Sequence, residues 1–107
     1  MEPANVPVRI AFSDDRFYPQ LLYGSTCLRA FLLCLEPGQG LPPRADSEEA
    51  VCYVISGRGR LTLGDRVLTV TTGDIAAAAP GEKRGLEADV RMTALWLHIA
   101  PRAERDA

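Results

Sequence analysis

Residues 36–64 read EPGQGLPPRADSEEAVCYVISGRGRLTLG, and this stretch decides the fold. Glu36-Pro37-Gly38 is a strand-end turn, because proline presets its own φ and the glycine after it tolerates a positive one. A proline-stiffened segment then reaches Asp46. An apolar run, Ala50–Ile55, has the length and β-branched content of a strand. Gly57-Arg58-Gly59 turns the chain into a second strand, Arg60–Leu63, and Gly64-Asp65 marks a tight hairpin into a third, Val67–Val70.

Working outward, the same grammar continues. Upstream, Val6–Phe12 is expected as a short strand, with Pro7 at a sheet edge or strand start. Ser13-Asp14-Asp15 forms a turn and Gln20–Tyr23 a further short strand. Cys27–Leu35 is apolar at nearly every position, as befits a strand covered on both faces. Downstream, Thr71-Thr72-Gly73-Asp74 turns the chain. Ile75–Ala79 has the composition of a helix but too few residues between its breakers, so a strand with small side chains is expected. Met92–Ile99 is the last strand, and residues 101–107 form a polar tail expected to fray. Many short strands punctuated by Gly and Pro, with no convincing helix, predict an all-β sandwich or barrel.

Composition narrows the function classes. The chain has 107 residues, 47% of them hydrophobic, which suits one globular domain with its own core. Net charge is −2 with no basic run, so nucleic acid is not an expected partner. No apolar run approaches the ~18 residues that cross a bilayer, and MEPANVPVRI lacks the basic start and apolar core of a secretory signal. Cys27, Cys34 and Cys52 are odd in number and contain no Cys-x-x-Cys, which argues against a disulfide framework or a zinc ribbon. Buried, reduced thiols in a cytoplasmic protein are expected.

Two glycine-anchored motifs carry a family resemblance. Gly38, five residues, Arg44, one residue, Asp46, three residues, Ala50, six residues and Gly57 match the spacing of the first cupin motif. Gly73, five residues, Ala79-Pro80-Gly81, two residues and Arg84 match the second, with the proline displaced by one. The chain therefore resembles a small single-domain cupin over roughly residues 28–100. The resemblance implies a double-stranded β-helix, or jelly-roll barrel, as one domain over 1–107. Its N-terminal strands lie at about 6–23 and its barrel at about 27–100. It also implies a homodimer, with the aromatic-rich N-terminal segment (Phe12, Phe17, Tyr18, Tyr23) meeting a second subunit.

Cupins hold one divalent metal through three histidines and a glutamate projecting into the barrel. Here those positions are Arg44, Asp46, Ala50 and Arg84. Arginine stays protonated and has no lone pair for a metal, and alanine has no donor at all. Asp46 alone does not make a site, so no cofactor is expected. An alternative divalent site can be drawn from Asp46, Glu49, Cys52 and His98, but Glu49 needs a bulge to point inward.

Without the metal, Arg44, Asp46 and Arg84 become a mixed-charge pocket floor. Two readings stay open: a cradle for a carboxylate or phosphate, or an ion pair plugging the barrel. Strand parity turns Cys52 inward and Tyr53 outward. Cys52 is a candidate nucleophile if Arg84 and His98 activate it, and a buried hydrophobe otherwise. On the last strand, Met92, Ala94, Trp96 and His98 share the face suited to line a cavity. Thr93, Leu95, Leu97 and Ile99, more uniformly apolar, are expected in the core or a dimer interface. Glu48-Glu49 and Glu82-Lys83 read as solvated loop charges. Three functions follow. One is a metal-free cupin binding an anionic or sugar-like small molecule through Arg44, Asp46, Cys52, Arg84, Trp96 and His98. Another is a degenerate cupin serving as a dimeric structural or regulatory protein. The third is an epimerase- or isomerase-type enzyme using Asp46 and His98 as proton carriers.

Overall fold

The computed structural model describes residues 1–101. They form one short helix, α1 (Val6–Arg9), and nine strands: β1 (Gln20–Gly24), β2 (Leu28–Leu35), β3 (Gly40–Arg44), β4 (Glu49–Ser56), β5 (Arg58–Leu63), β6 (Arg66–Thr71), β7 (Ile75–Ala78), β8 (Arg84–Ala88) and β9 (Met92–Ile99). The strands make two antiparallel sheets, ordered β1-β2-β9-β4-β7 and β3-β8-β5-β6. This is the expected all-β barrel. No helix among the described residues is long and apolar enough to cross a membrane. The expected frayed tail, apart from Pro101, lies outside the described residues.

The core fills the space between the sheets, and strand register says which side chains enter it. Ala50 pairs with His98, Cys52 with Trp96 and Val54 with Ala94, so these residues share the inner face. Leu61 pairs with Leu86, and Gly59 with Ala88, on the facing sheet. Met92, Ala94 and Trp96 are at most 2% exposed. Burying an indole removes roughly 200 Å² from water, worth about 5 kcal/mol before entropy is charged against it. The Met/Ala/Trp face is thus the core face, while Leu95, Leu97 and Ile99 lie half-buried on the outer one. Trp96 and His98 on the inner face line the cavity as expected, and of the two places expected for the Thr93, Leu95, Leu97 and Ile99 face, the inter-sheet core is not the one it takes.

Several local expectations change. Val6–Arg9 is a single helical turn rather than part of a strand: Asn5 caps it by accepting from the Val8 N–H, and Pro7 sits in the first turn. A proline there lacks only an N–H that the first turn leaves unpaired anyway. The stiff segment before Asp46 is itself a strand, β3, at the edge of the smaller sheet. Its pairing with β8 is irregular between Leu41 and Arg44, where Pro42 and Pro43 have no N–H to donate. The segment after the Pro80-Gly81 turn is also a strand, β8. Cys34 and Cys52 are buried as expected, but Cys27 is exposed, since it precedes β2 in the Ser25–Cys27 turn.

Gly57 shows why the turn between β4 and β5 demands glycine. Its φ is +92°, and a Cβ there would lie 2.3 Å from the Arg91 carbonyl oxygen and 2.5 Å from the Met92 Cβ. Phe12 and Phe17, expected toward a second subunit, are engaged within this chain. Phe12 lies under the Arg91 guanidinium at 4.3 Å, which also grips Glu36 with two hydrogen bonds, and Phe17 packs on the core.

Candidate functional site

At one end of the barrel a cavity of about 340 Å³ opens between the sheets. One wall is β3: Leu41, Pro42, Pro43 and Arg44. The rest is Asp46 from the β3–β4 loop, Arg84 at the start of β8, and Trp96 and His98 from β9. The prolines that make β3 an edge strand also give the cavity a rigid apolar side. Opposite them the wall is polar where the two motif loops meet.

Arg84 is the most heavily used side chain. Only 3% exposed, it donates from Nε to the Glu82 carbonyl at 2.7 Å. From Nη2 it donates to the carbonyls of Glu48 at 2.9 Å, Ala79 at 3.0 Å and Asp46 at 3.3 Å. It thereby joins the loop after β3 to the turn before β8. Nη1 is buried with no hydrogen-bond partner, and among the described residues no carboxylate lies within ion-pair distance of the guanidinium. Of the two ion pairs open to Asp46, the structure forms the one with Arg44; Arg84 bonds the Asp46 backbone, not its carboxylate.

Asp46 spends one carboxylate oxygen on the Glu48 N–H at 3.0 Å and faces Arg44 across 3.5 Å with the other. The Glu48 N–H chiefly holds the carboxyl below its usual range; burial opposes this, and Arg44, Arg84 and His98 add to the lowering. Asp46 is therefore ionised in the cavity wall. The Arg44 side chain is 75% exposed, so it stands at the rim rather than on the floor.

His98 completes the floor. Trp96 donates its indole N–H to His98 Nε2 at 3.1 Å. An indole nitrogen can only donate, so Nε2 carries the lone pair and the ring proton sits on Nδ1. Nδ1 lies 3.5 Å from a Glu48 carboxylate oxygen but has no hydrogen-bond partner. Burial, then the Arg29 cation, depresses the imidazole pKa; Glu48 and Asp46 pull it up, and Arg84 lowers it. Asp46 and His98 share the cavity without a hydrogen bond between them. An Asp46–His98 proton relay therefore has one imidazole nitrogen held by Trp96 and the other turned to Glu48.

Cys52 lies elsewhere. It borders a separate void of about 10 Å³ with Ala50, Ala76 and Ala78, behind Arg84 and Trp96. Burial pushes its thiol up to about 12, so near neutral pH it is a small apolar group and not a nucleophile. The alternative metal set also separates. Glu49 pairs with Ile99 on the outer face, while Ala50 and His98 face inward. Among the described residues, no group of three His, Cys, Asp or Glu side chains could hold a metal ion. The donor chemistry at the four family positions does not fit one either: two guanidiniums and a methyl group offer no lone pair.

Two residues escaped the sequence reading. Glu48, taken as a solvated loop charge, is only 19% exposed and bonds Arg29 at 2.5 Å. Arg29 stands opposite His98 in the β2–β9 pairing. The signal was present: Arg29 interrupts the apolar run LRAFLLCL on the same parity as Phe31 and Leu33, and so faces inward at the barrel end.

Comparisons with known proteins agree with this architecture. A family model for the cupin domain matches residues 31–100. No curated protein matches the chain. Among solved structures, an RmlC-like cupin protein from Desulfovibrio desulfuricans superposes with a TM-score of 0.83 at 25% identity, covering 94% of this chain and 98% of that one. A protein of unknown function from Streptococcus pyogenes gives a TM-score of 0.83 at 17% identity, covering 94% and 89%. A double-stranded β-helix protein from Klebsiella pneumoniae gives 0.81 at 20% identity, covering 94% and 90%. With the matched model spanning both motifs and the barrel between them, the chain belongs to the cupin family.

Proposed function

We propose that this cupin is a metal-independent small-molecule-binding protein whose ligand, anionic or sugar-like, occupies the cavity between β3 and β9. The observation that carries the reading is the cavity itself. Its 340 Å³ falls in the size range of small-molecule sites, and its apolar wall faces a few convergent polar groups. Asp46 offers acceptors to hydroxyl groups, Arg44 offers donors at the rim, and Leu41, Pro42 and Pro43 offer an apolar surface. Cys52, a ligand contact in the sequence reading, is left out because it borders the other void.

A homodimer fits the outer face of the larger sheet. There Tyr53 and Ile75 are exposed and Val51, Leu95 and Leu97 half-buried, in register with one another. The unpaired Cys34 and Cys52 thiols suit a cytoplasmic setting. The dimeric structural alternative draws its support from Arg84, whose four carbonyl bonds clamp two loops whether or not a ligand binds.

The test is a thermal-shift screen of small acids and sugars, run on the native chain and on Leu41→Trp, which fills the cavity mouth. A ligand at a hundred times its Kd adds about 2.7 kcal/mol to stability. The native midpoint should rise with at least one compound and the variant's should not. Equal responses in both, or none in either, would sink the reading. Mn²⁺, Fe²⁺, Ni²⁺ and Zn²⁺, added after chelation, are expected to leave the native midpoint unchanged.

A further inference from the structure

The charges around the cavity do not balance, and the imbalance has one location. Arg44 stands against Asp46, and Arg29 against Glu48. His98, with its lone pair fixed toward Trp96, is neutral. That leaves Arg84, buried to 3% exposure on the cavity wall, with only carbonyl oxygens as acceptors and Nη1 with none. A buried guanidinium lacking both a counter-ion and a full set of acceptors is costly. A folded barrel tolerates such a group where a bound species supplies what is missing.

Resting on the small-molecule reading above, we infer that the cavity's ligand is an organic monocarboxylate whose carboxylate is the counter-ion of Arg84. The anionic group lies on the Arg84 side of the floor, facing the positive charge of the guanidinium, while the ligand's body lies against Leu41, Pro42 and Pro43. Asp46 sets the limit of one charge: ionised in the same cavity, it repels a second anionic group and accepts hydrogen bonds from hydroxyl or ammonium groups. Phosphates, dianionic near neutrality, are disfavoured by the same carboxylate.

The test compares benzoate with benzamide, which have the same shape but differ in charge. Trp96 lines the cavity and is the chain's one tryptophan, so its fluorescence reports binding. Benzoate should bind the native protein tighter by about tenfold or more, as attraction to a nearby cation in a partly dehydrated site implies. The side-chain Nε–H resonance of Arg84, in protein labelled with ¹⁵N-arginine, should move with benzoate and stay still with benzamide. In Arg84→Met the preference should vanish; if that variant does not fold, the native-protein resonance decides alone. Equal affinities for benzoate and benzamide would overturn the inference and leave the cavity-binding reading intact. No response to either compound would overturn both.

Discussion

Arg84→Met offers a direct test of how the barrel's open end is held together. The guanidinium donates to the carbonyls of Glu82, Ala79, Glu48 and Asp46. Three of these bonds are 3.0 Å or shorter, and the fourth, at 3.3 Å, is weak. Hydrogen bonds to a charged group contribute about 1.5–3 kcal/mol each, so the three good ones are worth roughly 5–9 kcal/mol gross. Against this stands the desolvation of a guanidinium with no countercharge, several kcal/mol in practice. Methionine relieves that penalty and fills most of the volume, but it abandons the carbonyls. The difference is a net loss of about 2–3 kcal/mol, or roughly 10–20 °C in Tm for a domain of this size.

Urea denaturation measures the loss, followed by both Trp96 fluorescence and far-ultraviolet circular dichroism, because Trp96 neighbours the mutated side chain. The midpoint should fall with the m-value unchanged. Arg84→Lys keeps the charge, but a single ammonium cannot span carbonyls from both loops, so an intermediate loss is expected. A change in Arg84→Met within about 0.5 kcal/mol would show that water satisfies these carbonyls and that Arg84 clamps nothing. A variant more stable than the native protein would refute the reasoning from the other side, by showing that the uncompensated charge outweighs its hydrogen bonds.

Three further outcomes follow from the geometry. The folded-state pKa of His98 is depressed below its ordinary 6.5. The unfolded chain therefore binds the proton more readily, and native stability is full above 6.5 and declines as pH falls through the interval down to the folded-state value. His98→Gln should flatten the stability profile between pH 6.5 and the onset of carboxylate titration; an unchanged slope would contradict the assignment. Cys27 alone is exposed, so native protein should release one equivalent of thiol to Ellman's reagent quickly and three in urea; two or three fast equivalents would place Cys34 or Cys52 wrongly. Gly57→Ala drives a Cβ into the Arg91 backbone, whereas at Gly73, φ +88°, nothing lies within 4 Å. Gly73→Ala should cost only the left-handed backbone penalty, about 1–2 kcal/mol, and Gly57→Ala distinctly more, both read by urea midpoint. Equal losses would mean that the close approach of β9 is not limiting.

The barrel was legible because glycine and proline act locally. Gly38, Gly57, Gly73 and Gly81 all have φ between +81° and +92°, a need written at single positions and independent of what packs around them. The strand β9 was legible from end to end because Met92–Ile99 is an almost wholly apolar run of strand length, closed by Pro101. β3 was not, because a strand whose N–H groups are lost to Pro42 and Pro43 is stabilised by its edge position, and edge position is a tertiary fact. The N-terminal turn of helix was missed for the converse reason: its cap at Asn5 competes with an apolar pattern too short to decide anything.

The site divides along the same line. That Arg44, Asp46 and Arg84 converge followed from motif spacing, since the glycines set the register of the loops that carry them. Which of them pair did not follow, because the partners of Arg84 are backbone carbonyls, and carbonyls are identical at every position of a sequence. Charge complementarity in the residue types allowed Asp46 to pair with either Arg44 or Arg84. The structure sets Asp46 against Arg44 and the Glu48 N–H, and leaves Arg84 with no carboxylate within ion-pair distance among the described residues. With Arg84 where the family motif places a histidine and Ala50 where it places the glutamate, the spacing sets a guanidinium in the cavity wall, held by backbone carbonyls and with no carboxylate within ion-pair distance among the described residues. The proposed acid ligand is argued from that cation, and Arg84→Met, by removing it, separates the cavity's charge from its shape.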